Sequence, residues 1–290
     1  MRWLEVSVEV DAEAAEAVAE VLSRYVERGV AIEAGPDGWH AGPVVVRAYL
    51  PDDDERWARR KQIQEGLWHL GQIVRIPEPS FRSVAEEDWT EAWKKRLRVL
   101  RVGAHIVIQP SWLDYEHEAG DVVIRLDPGM AFGTGLHPTT QMCLVALEEL
   151  VRPGMEVVDL GTGSGILAIA AAKLGARDVL AVDSDPQAAR VARSNVIGNG
   201  VQGTVRIKRG SLSDVAGTYD LLVVNILAKV IVELVEQGLC ERMRRGAFFV
   251  GAGITSDRTP EVIAAFKSKG LEILDQRQQD DWVTLLAKRP

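Results

Sequence analysis

Val157-Val158-Asp159-Leu160-Gly161-Thr162-Gly163-Ser164-Gly165-Ile166-Leu167-Ala168 decides how the rest of the chain is read. Val157 to Leu160 are apolar or β-branched apart from Asp159, which fits a short buried strand. From Ile166 the run Ile-Leu-Ala-Ile-Ala-Ala-Ala predicts a helix reaching Lys173-Leu174, with Gly175 as its stop. Between strand and helix, glycines recur at alternate positions. They allow positive φ and a close approach of backbone to a ligand. The helix start adds unpaired N–H groups aimed the same way.

The spacing separates two classes of ligand. A dinucleotide fingerprint reads G-x-G-x-x-G. Here Gly161, Gly163 and Gly165 give G-x-G-x-G, and Ile166 stands where the third fingerprint glycine belongs. Asp159, at the strand end, would repel a pyrophosphate and suit a cationic methionine group. This pattern resembles the S-adenosylmethionine loop of Rossmann-like methyltransferases. Downstream, Asp178-Val179-Leu180-Ala181-Val182-Asp183 reads as the next strand, with Asp183 placed 22 residues after Gly161. That is the range in which an acidic residue meets ribose hydroxyls in such sheets. Asp183 also opens the Asp183-Ser184-Asp185-Pro186 turn, where Asp185 is the expected cap of the following helix.

The alternation continues on both sides of this motif. Tyr219-Asp220-Leu221-Leu222-Val223-Val224-Asn225 is a strand with Asn225 at its carboxyl end. A helix around Leu227–Cys240, a strand at Ala247–Val250, a helix at Thr259–Lys269 and a strand at Leu271–Leu274 follow. The final Trp282–Ala287 run comes after a short polar turn and is expected to pair antiparallel. Alternating strands and helices imply a parallel sheet with right-handed crossovers and a ligand at the carboxyl ends of its strands. Gly161, Asp183 and Asn225 then share one rim.

Toward the amino terminus, Asp127-Pro128-Gly129-Met130-Ala131-Phe132-Gly133-Thr134-Gly135-Leu136-His137-Pro138-Thr139-Thr140 is rich in turn formers and leads into a helix from about Thr139 to Leu150. Its glycines around Phe132 suit a loop folding over a ligand. Thr140 falls in the helix's first turn, where a hydroxyl can reach that ligand. His137 is read as structural rather than as a base. His105–Gln109 and Val122–Leu126 are strands, and the acidic loop between them, with Asp114, Glu116, His117, Glu118 and Asp121, is read as solvated; no metal site is expected.

The first quarter has another character. Period-two alternation from Trp3 to Val10 predicts a half-buried strand. Ala14, Val18, Val21, Leu22 and Tyr25 fall on one face of a helix running to about Arg28. Strands at Val30–Ile32 and Val44–Leu50, a Gly35-Pro36-Asp37-Gly38 turn, a helix from Asp53 to Leu70 and a strand at Ile73–Ile76 complete the order β-α-β-β-α-β of a ferredoxin-like unit. Pro77-Glu78-Pro79 is the expected boundary. The predicted organisation is a ferredoxin-like α+β domain over 1–78, a helical linker over 79–102 with Trp89 and Trp93 at i, i+4, and an α/β Rossmann-like seven-stranded domain over 103–290.

Bulk properties narrow the function. A hydrophobic content of 47% in 290 residues is enough for a real core. The net charge is −8, and residues 1–79 hold 15 acidic against 9 basic side chains. That disfavours direct binding of nucleic acid and suits steering of a basic protein. Cys143 and Cys240 form no metal or redox spacing, no apolar run approaches the ~18 residues of a membrane span, and no signal peptide is evident. A cytoplasmic protein without membrane contact is expected, with a monomer as the default assembly.

Taken together, the chain resembles the bacterial ribosomal protein L-eleven methyltransferase (PrmA) family. The Asp127–Thr140 loop is the most specific part. Asp159–Ala172, Asp183-Ser184-Asp185-Pro186, Val224-Asn225-Ile226-Leu227, Glu87-Asp88-Trp89-Thr90-Glu91-Ala92-Trp93 and Trp3-Leu4-Glu5-Val6 extend it over nearly the full length. The resemblance implies S-adenosylmethionine as cofactor, with contacts at Thr140, Gly161, Asp183 and Asn225; Gly163 of the same loop is a further candidate contact. It implies a large-subunit ribosomal protein as substrate, bound by the N-terminal module and methylated on lysine ε-amines and an N-terminal α-amine. Asn225 is the candidate catalytic residue; no dedicated base is identifiable. Asn225-Ile226-Leu227-Ala228 lacks the Pro-Pro-aromatic run of enzymes that methylate nucleic-acid amino groups. The alternative acceptor is another protein or a small-molecule amine.

Overall fold

The alternation at the amino terminus becomes a four-stranded antiparallel sheet. A computed structural model describes residues 2–23, 25–26, 30–33, 44–53, 55–72, 75–85, 98–126 and 135–290, and the chain divides into two units, Met1–Leu97 and Arg98–Pro290. The first contains β1 (Arg2–Val10), α1 (Ala12–Ser23), β2 (Val30–Glu33), β3 (Val44–Pro51), α2 (Arg56–Leu70) and β4 (Ser80–Ala85). Strand order is β2-β3-β1-β4, with every pair antiparallel. Val6, Val8 and Val10 of β1 join Ala14, Val18 and Leu22 of α1 and Ile63 and Leu67 of α2 in one core. Glu5 is nonetheless buried, because Arg47 and Tyr49 of the facing strand donate to its two oxygens at 2.6 and 2.9 Å.

The fourth strand departs from the expected one. Arg75 and Ile76 carry no strand, while Ile73 and Val74 lie outside the described residues. The strand forms instead at Ser80–Ala85, with Ser80 opposite Ser7 and Ala85 opposite Arg2. Pro77 and Pro79 cannot donate to a ladder, so pairing begins only where the chain has cleared them. Pro77-Glu78-Pro79 therefore lies inside the first unit, and the expected linker over 79–102 contains β4 and also β5 (Leu100–Val102). The Trp89–Trp93 connector helix, the Gly35–Gly38 turn and the segment 127–134 fall outside the described residues.

In the second unit, β5 pairs antiparallel with β6 (Ile106–Pro110), which pairs parallel with β7 (Val122–Leu126). Then follow α3 (Pro138–Leu150), β8 (Glu156–Leu160), α4 (Ile166–Lys173), β9 (Asp178–Asp183), α5 (Pro186–Gly198), β10 (Val205–Arg209), β11 (Tyr219–Asn225), α6 (Ala228–Glu236), β12 (Met243–Thr255), α7 (Thr259–Ser268), β13 (Glu272–Gln279) and β14 (Trp282–Lys288). The seven-stranded order is β10-β9-β8-β11-β12-β14-β13. β10, β9, β8, β11 and β12 run parallel, and β14 pairs antiparallel with both neighbours, as the polar turn before Trp282 implied. α6 is shorter than the expected helix: Gly238 takes φ 98° and starts a 3-10 turn over Leu239–Arg242.

Both faces of the parallel strands are covered. Val157, Val179, Leu221 and Val223 enter a core with α3 and α4; Val158, Leu180, Leu222 and Val224 enter a second core with α6 and α7. That is why these strands read as continuous apolar runs. Among the described residues, no helix is long and apolar enough to cross a membrane. In the second core Phe249 and Phe266 are fully buried and meet edge to face, with ring centroids 4.8 Å apart. Phe266→Ala is expected to cost about 3–5 kcal/mol through lost burial and a residual cavity. Denaturant unfolding checks it: the midpoint falls, and an unchanged midpoint would contradict the packing described.

Candidate active site

Strand order reverses between β8 and β11, and open α/β sheets bind ligands at the carboxyl ends of strands beside such a reversal. Three expected site segments leave the sheet there. The glycine loop follows β8, Asp183 ends β9, and Asn225 ends β11. Both neighbouring strands pair with Leu160 of β8, through Val182 and Val224.

Asp159 is 1% exposed. Its Oδ2 accepts the Thr162 hydroxyl at 2.6 Å. The Ala168 N–H in α4's first turn favours the carboxylate electrostatically, yet Oδ1 has no hydrogen-bond partner. Burial pushes this carboxyl up to about 7; the Thr162 hydrogen bond opposes the rise and the nearby Asp183 charge adds to it. A buried acceptor without a donor favours a cationic group placed against it.

The loop's geometry explains its glycines. Gly161 has φ 81°, and a Cβ there would lie 2.4 Å from Ile226 Cγ2. Gly163 and Gly165 also take positive φ. The Gly161 and Thr162 N–H groups donate to the Val182 carbonyl at 2.8 and 3.1 Å, tying the loop to β9. Asp183 both opens the Asp185 turn and holds the loop: Oδ1 accepts from the Asp185 N–H at 2.9 Å, Oδ2 from the Gly163 N–H at 2.8 Å. A carboxylate offers about four lone-pair sites, so capacity for a vicinal diol remains. Asp185 caps α5 by accepting from the Gln187 N–H at 2.8 Å.

Asn225 and Thr140, 85 residues apart in sequence, come together. Asn225 Nδ2 donates to Thr140 Oγ1 at 3.4 Å, and Thr140 is fully buried in α3's first turn. His137 is the N-cap of α3. Its Nδ1 accepts from the Thr139 N–H at 3.4 Å and lies 2.7 Å from the Thr139 hydroxyl, which puts the ring proton on Nε2. The ring stacks edge-on against Trp282 at 4.8 Å, and burial holds its pKa below the usual value. The Nδ1 lone pair, which would have to take a proton from a substrate, is committed to the start of α3.

The acidic loop after β6 closes on itself. Asp121 accepts from Tyr115 Oη at 2.6 Å and Arg101 Nη1 at 2.8 Å, and the Tyr115 hydrogen bond holds its carboxyl down at about 2. Among the described residues, no group of three or more His, Cys, Asp and Glu side chains is arranged for a metal. A cavity of about 390 Å³, lined by Arg152, Gly154, Asp220, Arg245 and Gly246 among others, lies at the opposite, amino-terminal ends of the strands.

Two supports escaped the sequence reading. Asn195 of α5, 4% exposed, donates through Nδ2 to the Ser164 carbonyl at 2.8 Å and pins the glycine loop from behind. Gly253 takes φ 80° at an irregularity in the β12–β14 pairing, and a Cβ there would meet the Ile226 carbonyl at 2.2 Å. Ile226 is thus seated between two positions that tolerate only glycine. An isolated glycine in a strand pattern signals a bulge or close backbone approach, so Gly253 was open to discovery. A polar residue in a helix repeat, such as Asn195, carries no comparable mark.

Comparison with known proteins bears on this arrangement. A family model described as Ribosomal protein L11 methyltransferase (PrmA) matches residues 2–290. The ribosomal protein L11 methyltransferase of Chloroflexus aurantiacus is 45% identical, covering 99% of this chain and 98% of that protein. That of Herpetosiphon aurantiacus is 41% identical, with 100% of both covered. A crystal structure of ribosomal protein L11 methylase from Lactobacillus delbrueckii subsp. bulgaricus is 35% identical with a TM-score of 0.63, covering 67% of this chain and 99% of that one.

Asp159 gives a pH-dependent prediction. Its folded pKa of about 7 lies above the unfolded value near 3.8. Between those values the unfolded chain has lost a proton that the folded chain keeps, so stability falls as pH rises, by up to about 1.4 kcal/mol per pH unit. Asp159→Asn removes this contribution. The variant's ligand-free stability relative to wild type, from urea unfolding, should climb between pH 5 and 7 and level off above. A pH-independent difference would remove the raised carboxyl.

Proposed function

The chain belongs to the ribosomal protein L11 methyltransferase (PrmA) family, and from that premise we propose that it methylates lysine ε-amines and the N-terminal α-amine of ribosomal protein L11. S-adenosylmethionine supplies a sulfonium methyl group; the acceptor nitrogen bonds that carbon as the carbon–sulfur bond breaks, sulfur keeps the electron pair, and the nitrogen's proton leaves to water. The observation that carries this reading is the buried Asp159 carboxyl with its unpartnered oxygen, on one rim with Asp183 and Asn225.

The residues divide the work as follows. Asp159 faces the cationic methionine portion, and Gly161 and Gly163 bring their backbone against it. Asp183 accepts from the ribose hydroxyls while it continues to hold the Gly163 N–H. Thr140 fixes the Asn225 amide, leaving the Asn225 side-chain oxygen to orient an incoming amine. A free lysine near pKa ~10.4 costs about 4 kcal/mol to deprotonate at pH 7.4, whereas an α-amine near ~7.8 costs well under 1 kcal/mol. With no base identified at the rim among the described residues, the site contributes desolvation of the lysine and in-line positioning of the two reacting atoms. The acidic first unit serves as the recognition module, its charge drawing a basic ribosomal protein toward the enzyme.

The test incubates the full chain with radiolabelled S-adenosylmethionine and ribosomal proteins from a strain lacking the gene. One labelled large-subunit protein, modified on amines, is expected; label on another acceptor would move the substrate assignment there. Asn225→Ala is expected to lower turnover at least tenfold while melting temperature and circular dichroism stay those of wild type. Wild-type turnover in that variant removes Asn225 from the mechanism.

A further inference from the structure

Leu227 occupies a position that serves the fold badly. It is the N-cap of α6, with φ −56° and ψ 138°, and makes no side-chain cap hydrogen bond. Ser, Thr, Asp or Asn at an N-cap accepts from an unpaired N–H of the first turn, and an apolar side chain forgoes roughly 1 kcal/mol of that stabilisation. Burial gives nothing back, because Leu227 is 69% exposed. Val230, one turn along, is also exposed, whereas Ala228, Ile231, Leu234 and Val235 form the stripe that α6 buries. Leu227 and Val230 therefore lie off the core-facing side of the helix.

The location gives that cost a purpose. Leu227 follows Asn225 by two residues, at the carboxyl rim, and its neighbour Ile226 packs against the glycine loop at Gly161. The turn thus runs from the floor of the cofactor loop to open solvent. What approaches from solvent is the acceptor, and a lysine presents four methylene groups before its amine. Lysine stems lie along apolar surface while the head group stays free. An apolar wall beside the amine also excludes water and lowers the amine's pKa.

We infer that Leu227, with Val230 beside it, is the wall on which the methylene stem of the acceptor lysine lies as its amine reaches the transferred methyl group. This rests on the lysine acceptor proposed above. It makes Leu227 selective: an N-terminal α-amine has no such stem and depends on the wall far less.

The test compares wild type, Leu227→Ser and Leu227→Met as full chains, with ribosomal protein L11 as acceptor and label assigned to lysine or α-amine by mass. Leu227→Ser is expected to melt at or above the wild-type temperature, since serine completes the cap, and to bind S-adenosylmethionine within twofold of wild type by calorimetry. Its kcat/KM for lysine methylation should fall at least tenfold, through KM more than kcat, while α-amine methylation falls less than threefold. Leu227→Met should restore lysine methylation to within threefold. Lysine methylation by Leu227→Ser within twofold of wild type overturns the inference. So does a loss accompanied by a lower melting temperature and weaker cofactor binding, which would mark Leu227 as structural. If the wild-type chain labels no amine at all, the proposed function fails and the wall falls with it.

Discussion

A carboxyl group with one unpartnered oxygen sits at the end of the central strand, and the neighbouring architecture accommodates it. Desolvating Asp159 is unfavourable, and the Thr162 hydroxyl offsets only part of that. A fold selected for stability alone would place an apolar residue there, as it does at Val157, Val158 and Leu160. The glycine loop must curl past this buried carboxyl. Positive φ at Gly161, Gly163 and Gly165 makes the curl, Val182 and Asp183 of β9 hold it from one side, and Asn195 holds it from behind. Stability is given up at one atom, and on the proposed function that atom meets the positively charged part of the cofactor.

The sheet makes such a rim possible. Because alternate residues of β8, β9 and β11 enter two separate cores, these strands are fixed on both faces, and their carboxyl ends are held at fixed spacing. The candidate site residues can then sit at strand ends and turns without loss of precision. Asp183 and Asn225 gain their positions from parallel register with Leu160 rather than from contact with each other.

Much of this was legible in the sequence, for physical reasons that differ by element. β8, β9 and β11 announce themselves because two-sided burial demands unbroken apolar runs, and the glycine spacing discriminates against a dinucleotide through a single residue, Ile166. Asp185 was legible as a cap because capping is local chemistry. The fourth strand of the first unit was not. Ser80–Ala85 is short, its polar residues follow no strict alternation, and two prolines just before it look like a boundary. Pairing with β1, a partner some eighty residues away, overrides those local signals. The Thr140–Asn225 contact was legible only as two separate guesses, since nothing in either local pattern specifies the other.

His137 shows how an attractive sequence feature is resolved by its hydrogen bonds. A histidine between a glycine loop and a proline invites a role as base. Yet capping α3 commits Nδ1 as an acceptor, and burial lowers the pKa of the ring, which lies edge-on to Trp282. With no other base identified among the described rim residues, the proposed route for the proton of an acceptor amine is through water, before or as the amine enters. For an α-amine near ~7.8 that is a minor demand, whereas for a lysine near ~10.4 it is most of the difficulty. A rim that serves both acceptors has more to do for the lysine, and apolar surface at Ile226 and Leu227 is the means available once no base is present. On the proposed function, the exposed leucine beside Asn225 and the histidine committed to its cap beside Trp282 fit one account, in which the amine is dried and aligned by the rim.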